Sequence, residues 1–274
     1  MKRFLAAWGF LTVFPTPLDD PDGAILRRSA ALFPVVGLVL GGAGFVAAWI
    51  FWTGLTLPPL FSAVALTVFL GAVSGGLHLD GLADSCDGFL SRRPRERILE
   101  IMRDSRIGSM GVLGLLAVMG LKVAAFSGLV APGAVIAGMI VPVAGRTALV
   151  FSMWLEPPAR REGLGQFFYD GLRPVEVAAG VAGALAVEWL MGRFPAVLAV
   201  LVALLVAWVW AWHCHRVIGG TTGDTLGAAC ELAECAAAVT LLVLTALQQG
   251  DLHGGPGYHL PAWWGEPLVV PPVR

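Results

Sequence analysis

Long apolar runs recur along the chain, separated either by short breaks or by polar connectors. A helix needs about 20 predominantly apolar residues to cross the hydrocarbon core of a bilayer. The runs that meet this requirement cover residues 33–56, 58–76, 110–129, 133–154, 174–191, 195–212 and 224–248. The pattern predicts an all-α, polytopic integral membrane protein of about seven transmembrane helices, joined in places by short cytoplasmic interfacial helices.

Two kinds of connector alternate between these runs. The short, nearly uncharged ones lie around 58–59, 130–132 and 192–194, and the long polar ones cover 77–109, 155–173 and 213–223. With the N-terminus in the cytoplasm, all the polar connectors are cytoplasmic, and fourteen of the 18 Lys and Arg residues lie on that side. Because cytoplasmic loops carry an excess of Lys and Arg, we predict a multi-pass protein of the cytoplasmic (inner) membrane with a cytoplasmic active face.

Composition agrees with this interpretation and excludes other classes. Hydrophobic residues make up 57% of the chain and charged residues 14%, whereas soluble domains carry about 25% charged residues. The net charge of −1, with no dense basic stripe, gives no electrostatic footprint for nucleic acid. We expect one membrane domain over 1–274 in contact with lipid, with a cytoplasmic or interfacial segment at 1–32 and a loose tail at 249–274.

The most informative polar segment, HLDGLADSCDG at 78–88, follows the second run. On a helix, Asp84 lies about 40° from Asp80, and Asp87 about 20° away on the other side. Carboxylates crowded on one face repel one another unless a cation neutralises them, and hard oxygen ligands suit Mg²⁺ or Mn²⁺ better than zinc. We predict a metal site at these three residues. The alternative is a solvated helix end whose aspartates face the cytoplasm.

A second polar segment, 92–108, contains a short helix that Pro94 is suited to open. We expect this helix on the membrane surface, where it carries Arg103, Asp104 and Arg106 towards the third run. Arginine forks match phosphate oxygens in geometry, so the two arginines are candidate phosphate ligands. Asp104 is a candidate acid or base.

A glycine-rich turn, GGTTGDTLGA at 219–228, opens the last run. Asp224 is placed to cap the helix, and Glu231 follows seven residues later on nearly the same face. Capping alone accounts for Asp224 but does not account for Glu231, which is expected inside the bilayer. Both are candidate catalytic residues.

Two cations, Lys122 and Arg146, are predicted inside spans, about 18 and 12 Å from the cytoplasmic helix ends. Charges at such depth face a polar cavity or a partner, so they either bind a phosphate or form ion pairs with the acids. Arg160 and Arg161 lie in a basic loop. This loop either covers the site or is an ordinary cytoplasmic connector.

Four segments resemble the cobalamin synthase family, also called the adenosylcobinamide-GDP ribazoletransferase family. They are FPVVG at 33–37, GLHLDGLAD at 76–84, EIMRDSRIG at 100–108 and TGDTLGA at 222–228, in the order that the family has. The segments span most of the chain, and the second and third are long enough to be specific. One departure is Val13, at a position associated with arginine, which leaves an N-terminal basic contact in doubt.

The resemblance implies a Mg²⁺-dependent phosphotransferase acting in the last steps of cobalamin biosynthesis. It implies transfer of the phosphocobinamide moiety of adenosylcobinamide-GDP to a ribose hydroxyl of α-ribazole, or of α-ribazole 5′-phosphate. The products would be adenosylcobalamin, or its 5′-phosphate, and GMP. A homo-oligomer, or association with other cobalamin-assembly enzymes, stays open.

The resemblance also implies roles for the residues singled out above. The metal ligands would be Asp80, Asp84 and Asp87, the substrate contacts His78, Arg103, Arg106, Lys122 and Arg146, and the catalytic acids Asp104, Asp224 and Glu231. The sequence does not choose which of these last three activates the attacking hydroxyl.

Two other classes share parts of this pattern. The CDP-alcohol phosphotransferases also pair Asp-Gly with later aspartates, but their aspartate spacing differs and an arginine expected in their motif is absent. A secondary transporter would use Lys122, Arg146 and Glu231 as a cation path. Inverted halves or acids on both sides of the midplane would favour a transporter, whereas here the acids cluster on the cytoplasmic side.

Overall fold

A computed structural model describes residues 1–17, 23–160, 166–169 and 171–249. Over these ranges the chain is helical and has no β-strand. The helices are α1 (Lys2–Leu11), α2 (Ala24–Arg27), α3 (Phe33–Trp49), α4 (Pro59–Val73), α5 (Leu77–Leu90), α6 (Arg95–Ile101), α7 (Ser109–Gly128), α8 (Ala131–Leu155), α9 (Gln166–Tyr169), α10 (Pro174–Ile218) and α11 (Gly223–Gln249). The predicted loose tail lies almost wholly outside the described residues, and so does Arg161.

Prolines and glycines set many of the helix ends. Pro59 and Pro174 occupy the first turns of α4 and α10. Backbone N–H groups in a first turn make no hydrogen bond within the helix, so proline, which lacks this group, costs none there. Gly76, with φ 72°, separates α4 from α5, and Gly219, with φ 80°, ends α10. These left-handed conformations favour glycine.

The membrane architecture expected from the hydropathy pattern is confirmed. The helical segments long and apolar enough to cross a bilayer are Ala30–Gly54, Ser109–Gly128, Ala131–Leu155, Pro174–Ile218 and Gly223–Gln248. The pair α4 and α5 qualifies as a sixth span only if both helices are counted together across a bend of 93°. The count of about seven is therefore not confirmed by length and hydropathy.

The sequence predicts two spans in the region of α10, joined at 192–194, and the structure has a break at that place. The 45 residues of α10 form two helical segments, separated by non-helical backbone at Arg193 (φ 56°, ψ −146°). Before the interruption, Val177 belongs to the same packed cluster as Met153 near the end of α8, whereas a Cβ on Gly192 would contact Ile140, further back along that helix.

After the interruption the chain returns towards the end of the bundle from which it came. Ile218, the last residue of α10, packs with Ala159 just beyond α8. The backbone N–H of Ala159 also donates to the carbonyl oxygen of Thr221, over 2.8 Å. Both ends of α10 therefore lie at the end of the bundle where α8 finishes, so the chain reverses near Arg193.

Helix α8 is the centre of the bundle and packs against α3, α10 and α11. Glycines bring α3 close to it: a Cβ on Gly41 would lie 2.5 Å from the carbonyl oxygen of Met139, and Gly44 meets Gly138 in the same way. Small residues allow this approach in lipid, where van der Waals contact drives helix association. The outer faces expose large apolar side chains such as Leu205 and Trp208 of α10, as lipid contact requires.

Helix α5 does not continue the direction of α4. It turns by 93° after the Gly75–Gly76 break and packs against α7, α11 and α6. A Cβ on Gly81 would lie 2.6 Å from the carbonyl oxygen of Asp224, so glycine lets α5 cross the beginning of α11 closely. The bend places the predicted acidic segment across the end of the bundle rather than along a span.

Candidate active site at one end of the bundle

A cavity of about 240 Å³ lies where α5 meets the beginning of α11. Its polar lining consists of His78, Asp80, Arg160, Tyr169, Thr221, Thr222 and Asp224. Its apolar lining includes Phe10, Leu11, Phe33, Leu149, Met153, Phe168 and Leu226, most of them buried side chains of one packed cluster. The cavity therefore joins residues from both sequence motifs that carry clustered acids.

The beginning of α11 is held by reciprocal threonine bonds. The backbone N–H of Thr225 donates to Thr222 Oγ1 over 3.2 Å, and the backbone N–H of Thr222 donates to Thr225 Oγ1 over 2.7 Å. Thr222 is therefore the capping residue, and the alternative that Asp224 serves as a cap is wrong. The carboxylate of Asp224 instead accepts a hydrogen bond from Arg160 Nη2 at 2.9 Å.

A short bridge positions Arg160 at this point. The segment at Pro158 pairs with Thr221, and the N–H of Thr221 donates to the carbonyl oxygen of Pro157 over 2.9 Å. Gly220 makes this possible because a Cβ there would collide with that same carbonyl oxygen. The bridge brings Arg160, the first residue of the basic loop, to the start of α11; the alternative that the loop covers the site falls on residues outside the described ranges.

The three aspartates of α5 have different surroundings. Asp80 lines the cavity. Asp87 points to the beginning of α7, where its two oxygens accept hydrogen bonds from the N–H groups of Gly108 (2.7 Å) and Gly111 (2.8 Å). Each oxygen of Asp87 therefore accepts one backbone hydrogen bond that ties α5 to the beginning of α7.

Asp84 lies between the other acids. Burial, followed by the charges of Asp80, Asp224 and Asp87, raises the pKa of Asp84 to about 7, and Arg160 opposes the shift only weakly. The carboxylates around Asp84 therefore repel one another, and a cation bound among them would relieve this repulsion.

A second charged cluster lies deeper, where α7, α8 and α11 meet. Lys122 Nζ lies 2.9 Å from Glu231 Oε2 and 2.6 Å from Glu234 Oε2, and Arg146 Nη1 pairs with Glu234 Oε1. All four side chains are buried, with exposures of 3 to 5%. The structure thus brings Lys122 and Arg146 to the acids, as the ion-pair alternative expects, and not to the cavity.

His78 lies between the cavity and this buried ionic cluster. It lines the cavity but is only 2% exposed, and neither ring nitrogen has a hydrogen-bond partner among the described residues. Burial, followed by the charges of Arg146 and Lys122, lowers its pKa well below the ordinary value. His78 is therefore neutral and has both nitrogens free for a bound molecule.

The arginine segment before α7 lies on the surface. Arg106 makes a two-pronged contact with Asp104, with Nε–Oδ1 at 3.0 Å and Nη2–Oδ2 at 2.6 Å. These hydrogen bonds lower the pKa of Asp104 to about 2. Arg103 is also exposed, and neither Asp104 nor the two arginines line the cavity.

Several residues of this region escape the sequence analysis. Glu234 is the acid that contacts both buried cations, although it follows Glu231 by only one helical turn. Tyr169 shares a hydrogen bond with Thr221, and burial raises its pKa to about 12, so the phenol stays protonated. Arg95 donates to the carbonyl oxygens of Ile218 and Ala159, both at 2.7 Å.

A divalent cation at this site would take its protein ligands from the carboxylates of α5. Across the described ranges, no three His, Cys, Asp or Glu side chains converge closely enough to hold an ion unaided. Asp80 and Asp84 nevertheless offer the hard oxygen donors that Mg²⁺ prefers, among carboxylates that repel one another. The donor set therefore fits a cation that also takes oxygens from a phosphate substrate.

The fold and the cavity define a polytopic membrane protein with an acidic site at one end of its bundle. The chain belongs to the family described as cobalamin-5-phosphate synthase, whose model matches residues 3–242.

Relatives from distant bacteria agree with this membership, and each bears the name adenosylcobinamide-GDP ribazoletransferase. The chain is 41% identical to the protein of Roseiflexus sp. (strain RS-1) over 233 residues, covering 85% of this chain and 86% of that protein. It is 39% identical to that of Klebsiella pneumoniae subsp. pneumoniae (90% and 99% covered) and 36% identical to that of Clostridium botulinum (89% and 98% covered). No solved structure matches the chain.

Proposed function

We propose that this protein is a Mg²⁺-dependent adenosylcobinamide-GDP ribazoletransferase with its active face on the cytoplasmic side of the inner membrane. A ribose oxygen of α-ribazole, or of its 5′-phosphate, attacks the phosphorus attached to the cobinamide arm. A new P–O bond forms, the P–O bond to GMP breaks, and GMP leaves with the electron pair. The hydroxyl proton passes to a carboxylate of the protein.

The observation that carries the proposal is the cavity that joins the two motifs. Asp80 from α5 and Asp224 from α11 line one space, with Arg160 beside them. Phosphoryl transfer depends on positioning and charge neutralisation more than on covalent help from the enzyme. A cavity with carboxylates and an arginine at its polar lining meets that demand.

Asp80 and Asp84 are the residues that would hold Mg²⁺. Mg²⁺ held there would supply positive charge for the pyrophosphate and for GMP as the leaving group. Asp87 accepts hydrogen bonds from backbone N–H groups of α7, so it would hold α5 in place against α7. This assignment narrows the three expected ligands to two.

Of the three candidate bases, Asp224 has the strongest support. Asp104 is a poor proton acceptor, because its pKa is about 2 and a good general base has a pKa near the working pH. Glu231 is paired with Lys122 in the buried ionic cluster. Asp224 lines the cavity, and its bond to Arg160 orients the carboxylate.

The cation nearest to a bound phosphate would be Arg160. Its Nη1 atom is buried and has no hydrogen-bond partner among the described residues, so one prong of the guanidinium remains available for a phosphate oxygen. Arg103 and Arg106 would meet the substrate from the surface. Lys122 and Arg146 would act indirectly, by holding α7 and α8 against α11.

The test is an assay of GMP release by the purified protein in detergent. Adenosylcobinamide-GDP, α-ribazole and Mg²⁺ are omitted one at a time, and we expect release to require all three. A second arm replaces the corrinoid nucleotide with a CDP-linked lipid, which we expect to be inert. Ribazole-dependent release of CMP from that lipid would contradict the proposal.

A further inference from the structure

The apolar lining of the cavity has an arrangement of its own. Phenylalanine rings from three separate elements meet there: Phe10 of α1, Phe33 of α3 and Phe168 of α9. Phe10 and Phe33 stack with centroids 5.9 Å apart and an interplanar angle of 9°. Phe168 meets these two rings at centroid distances of 4.7 and 5.3 Å. Phe33 and Phe168 are fully buried behind the cavity and Phe10 is half-buried beside it, so a planar ring held there would have an aromatic wall.

The rest of this lining restricts which ring it can hold. Leu11, Leu149, Met153 and Leu226 complete it, all buried in the same cluster. Polar groups that lose water without gaining a partner cost free energy. A guanine ring carries polar atoms around its edge, whereas a benzimidazole joined to ribose has one free ring nitrogen and is otherwise apolar.

The size of the cavity points to the same choice. Its volume of about 240 Å³ is below the range of roughly 300–1,000 Å³ typical for larger ligands. It can hold one bicyclic base with part of its sugar, and it is far too small for a corrinoid. Since Asp80 and Asp224 line the same cavity, a sugar attached to a base in the apolar part would lie next to these carboxylates.

We propose that the aromatic subsite formed by Phe10, Phe33 and Phe168 binds the benzimidazole base of the ribazole substrate and presents its ribose hydroxyl to Asp224. This inference rests on the proposed function and assigns the cavity to the nucleoside acceptor. The corrinoid nucleotide then approaches from outside, with its pyrophosphate at Asp80, Asp84 and Arg160.

The first experiment measures binding without turnover. Equilibrium dialysis of the wild-type protein in detergent uses three ribosides without corrinoid: α-ribazole, the riboside of unsubstituted benzimidazole, and inosine. Because stacking and apolar contact carry the affinity, we expect it to fall along this series by about tenfold or more overall. Equal affinities for the three ribosides would overturn the subsite.

The second experiment compares Phe168→Leu with Phe126→Leu by steady-state kinetics. Phe126 is a matched control because it is as fully buried as Phe168 but lies in the central core and does not line the cavity. We expect Phe168→Leu to raise the KM for α-ribazole about tenfold, with the KM for adenosylcobinamide-GDP changed less than twofold. Phe126→Leu should change neither KM by more than twofold.

The outcomes separate this inference from the proposed function. If Phe168→Leu raises the KM for the corrinoid nucleotide and not that for α-ribazole, the subsite is wrong although the enzyme activity stands. If the wild-type protein binds α-ribazole with the expected selectivity but releases no GMP, the proposed function is wrong and the subsite stands. Should Phe168→Leu fail to fold, the riboside series decides alone.

Discussion

Two charged clusters lie within this bundle, and they differ in how their charges are balanced. In the buried ionic cluster, Lys122 and Arg146 face Glu231 and Glu234, so two cations meet two acids. In the acidic cluster at the cavity, the carboxylates of Asp80, Asp84 and Asp224 lie together, and Arg160 pairs with Asp224. Each acid of the first cluster contacts a buried cation, whereas the acids of the second lie close enough together to raise the pKa of Asp84.

This contrast separates a structural role from a binding role. A buried charge in a membrane is stable only if it is paired, which the ionic cluster achieves between α7, α8 and α11. A partly exposed site with clustered acids leaves room for a cation and a phosphate. The sequence predicts that all these ionisable residues serve one active face. In the structure they form two clusters, one that stabilises the bundle and one that is suited to binding.

The largest expected effect comes from the acidic cluster. Asp84→Asn keeps the shape of the side chain but removes the charge at the centre of the acids, so we expect turnover to fall at least about 100-fold with normal membrane expression. The measurement is GMP release at saturating substrates. The control is Asp104→Asn, which removes a half-exposed aspartate outside the cavity. Because a surface ion pair contributes little, loss of its contact with Arg106 should lower turnover by no more than about threefold.

Near-normal turnover of Asp84→Asn in the presence of Mg²⁺ would contradict the metal assignment. A loss of similar size in Asp104→Asn would instead move the catalytic site to the arginine segment before α7. The two variants therefore decide which of the predicted groups carries the chemistry.

The next effect concerns stability. Glu234→Gln leaves Lys122 and Arg146 with one carboxylate between them, and breaking a buried ion pair costs about 3–5 kcal/mol. We expect a clearly lower Tm in detergent, partly restored in the double variant Lys122→Met/Glu234→Gln. The control is Glu188→Gln, because Glu188 is fully buried and neither carboxylate oxygen has a described hydrogen-bond partner.

Glu188→Gln should leave the Tm unchanged or raise it, since no ion pair is lost. If Glu234→Gln and Glu188→Gln lower the Tm equally, the pairing in the ionic cluster is not what stabilises the bundle. If Glu234→Gln keeps its Tm but loses turnover, the cluster is catalytic after all.

Much of the fold follows from the sequence because apolar runs and helix-breaking residues act locally. The expected runs at 110–129 and 133–154 agree with α7 and α8 within two residues at each end. The placement of Asp80, Asp84 and Asp87 on one helix is also correct, although that helix is separated from α4 by a bend. Gly75 and Gly76 mark the break, but the 93° angle depends on packing against α7 and α11.

The partners of the charged residues could not be predicted in the same way. Asp87 bonds to Gly108 and Gly111 because α7 begins beside α5, which no periodicity reveals. Arg160 meets Asp224, 64 positions later, through a backbone bridge that only the folded chain creates. Tyr169 belongs to a four-residue helix, too short to leave a pattern.

The smallest expected effect is a pH dependence that belongs to the acidic cluster alone. Because the pKa of Asp84 is raised to about 7, this carboxyl is protonated below pH 7 and ionised above it. Protons then compete with Mg²⁺ on the acid side, so the Mg²⁺ concentration for half-maximal activity should rise up to about tenfold per pH unit below 7. Above about pH 8 it should be constant.

This dependence is measured by titrating Mg²⁺ at several pH values with wild type and with Asp104→Asn. Asp104, with its pKa of about 2, is ionised throughout that range, so its removal should leave the profile unchanged. A Mg²⁺ requirement that does not vary between pH 6 and 8 would show that Asp84 does not bind the cation. The repulsion among the acids at the cavity would then be relieved by substrate and protein groups alone, and the contrast between the two clusters would concern phosphate binding rather than metal binding.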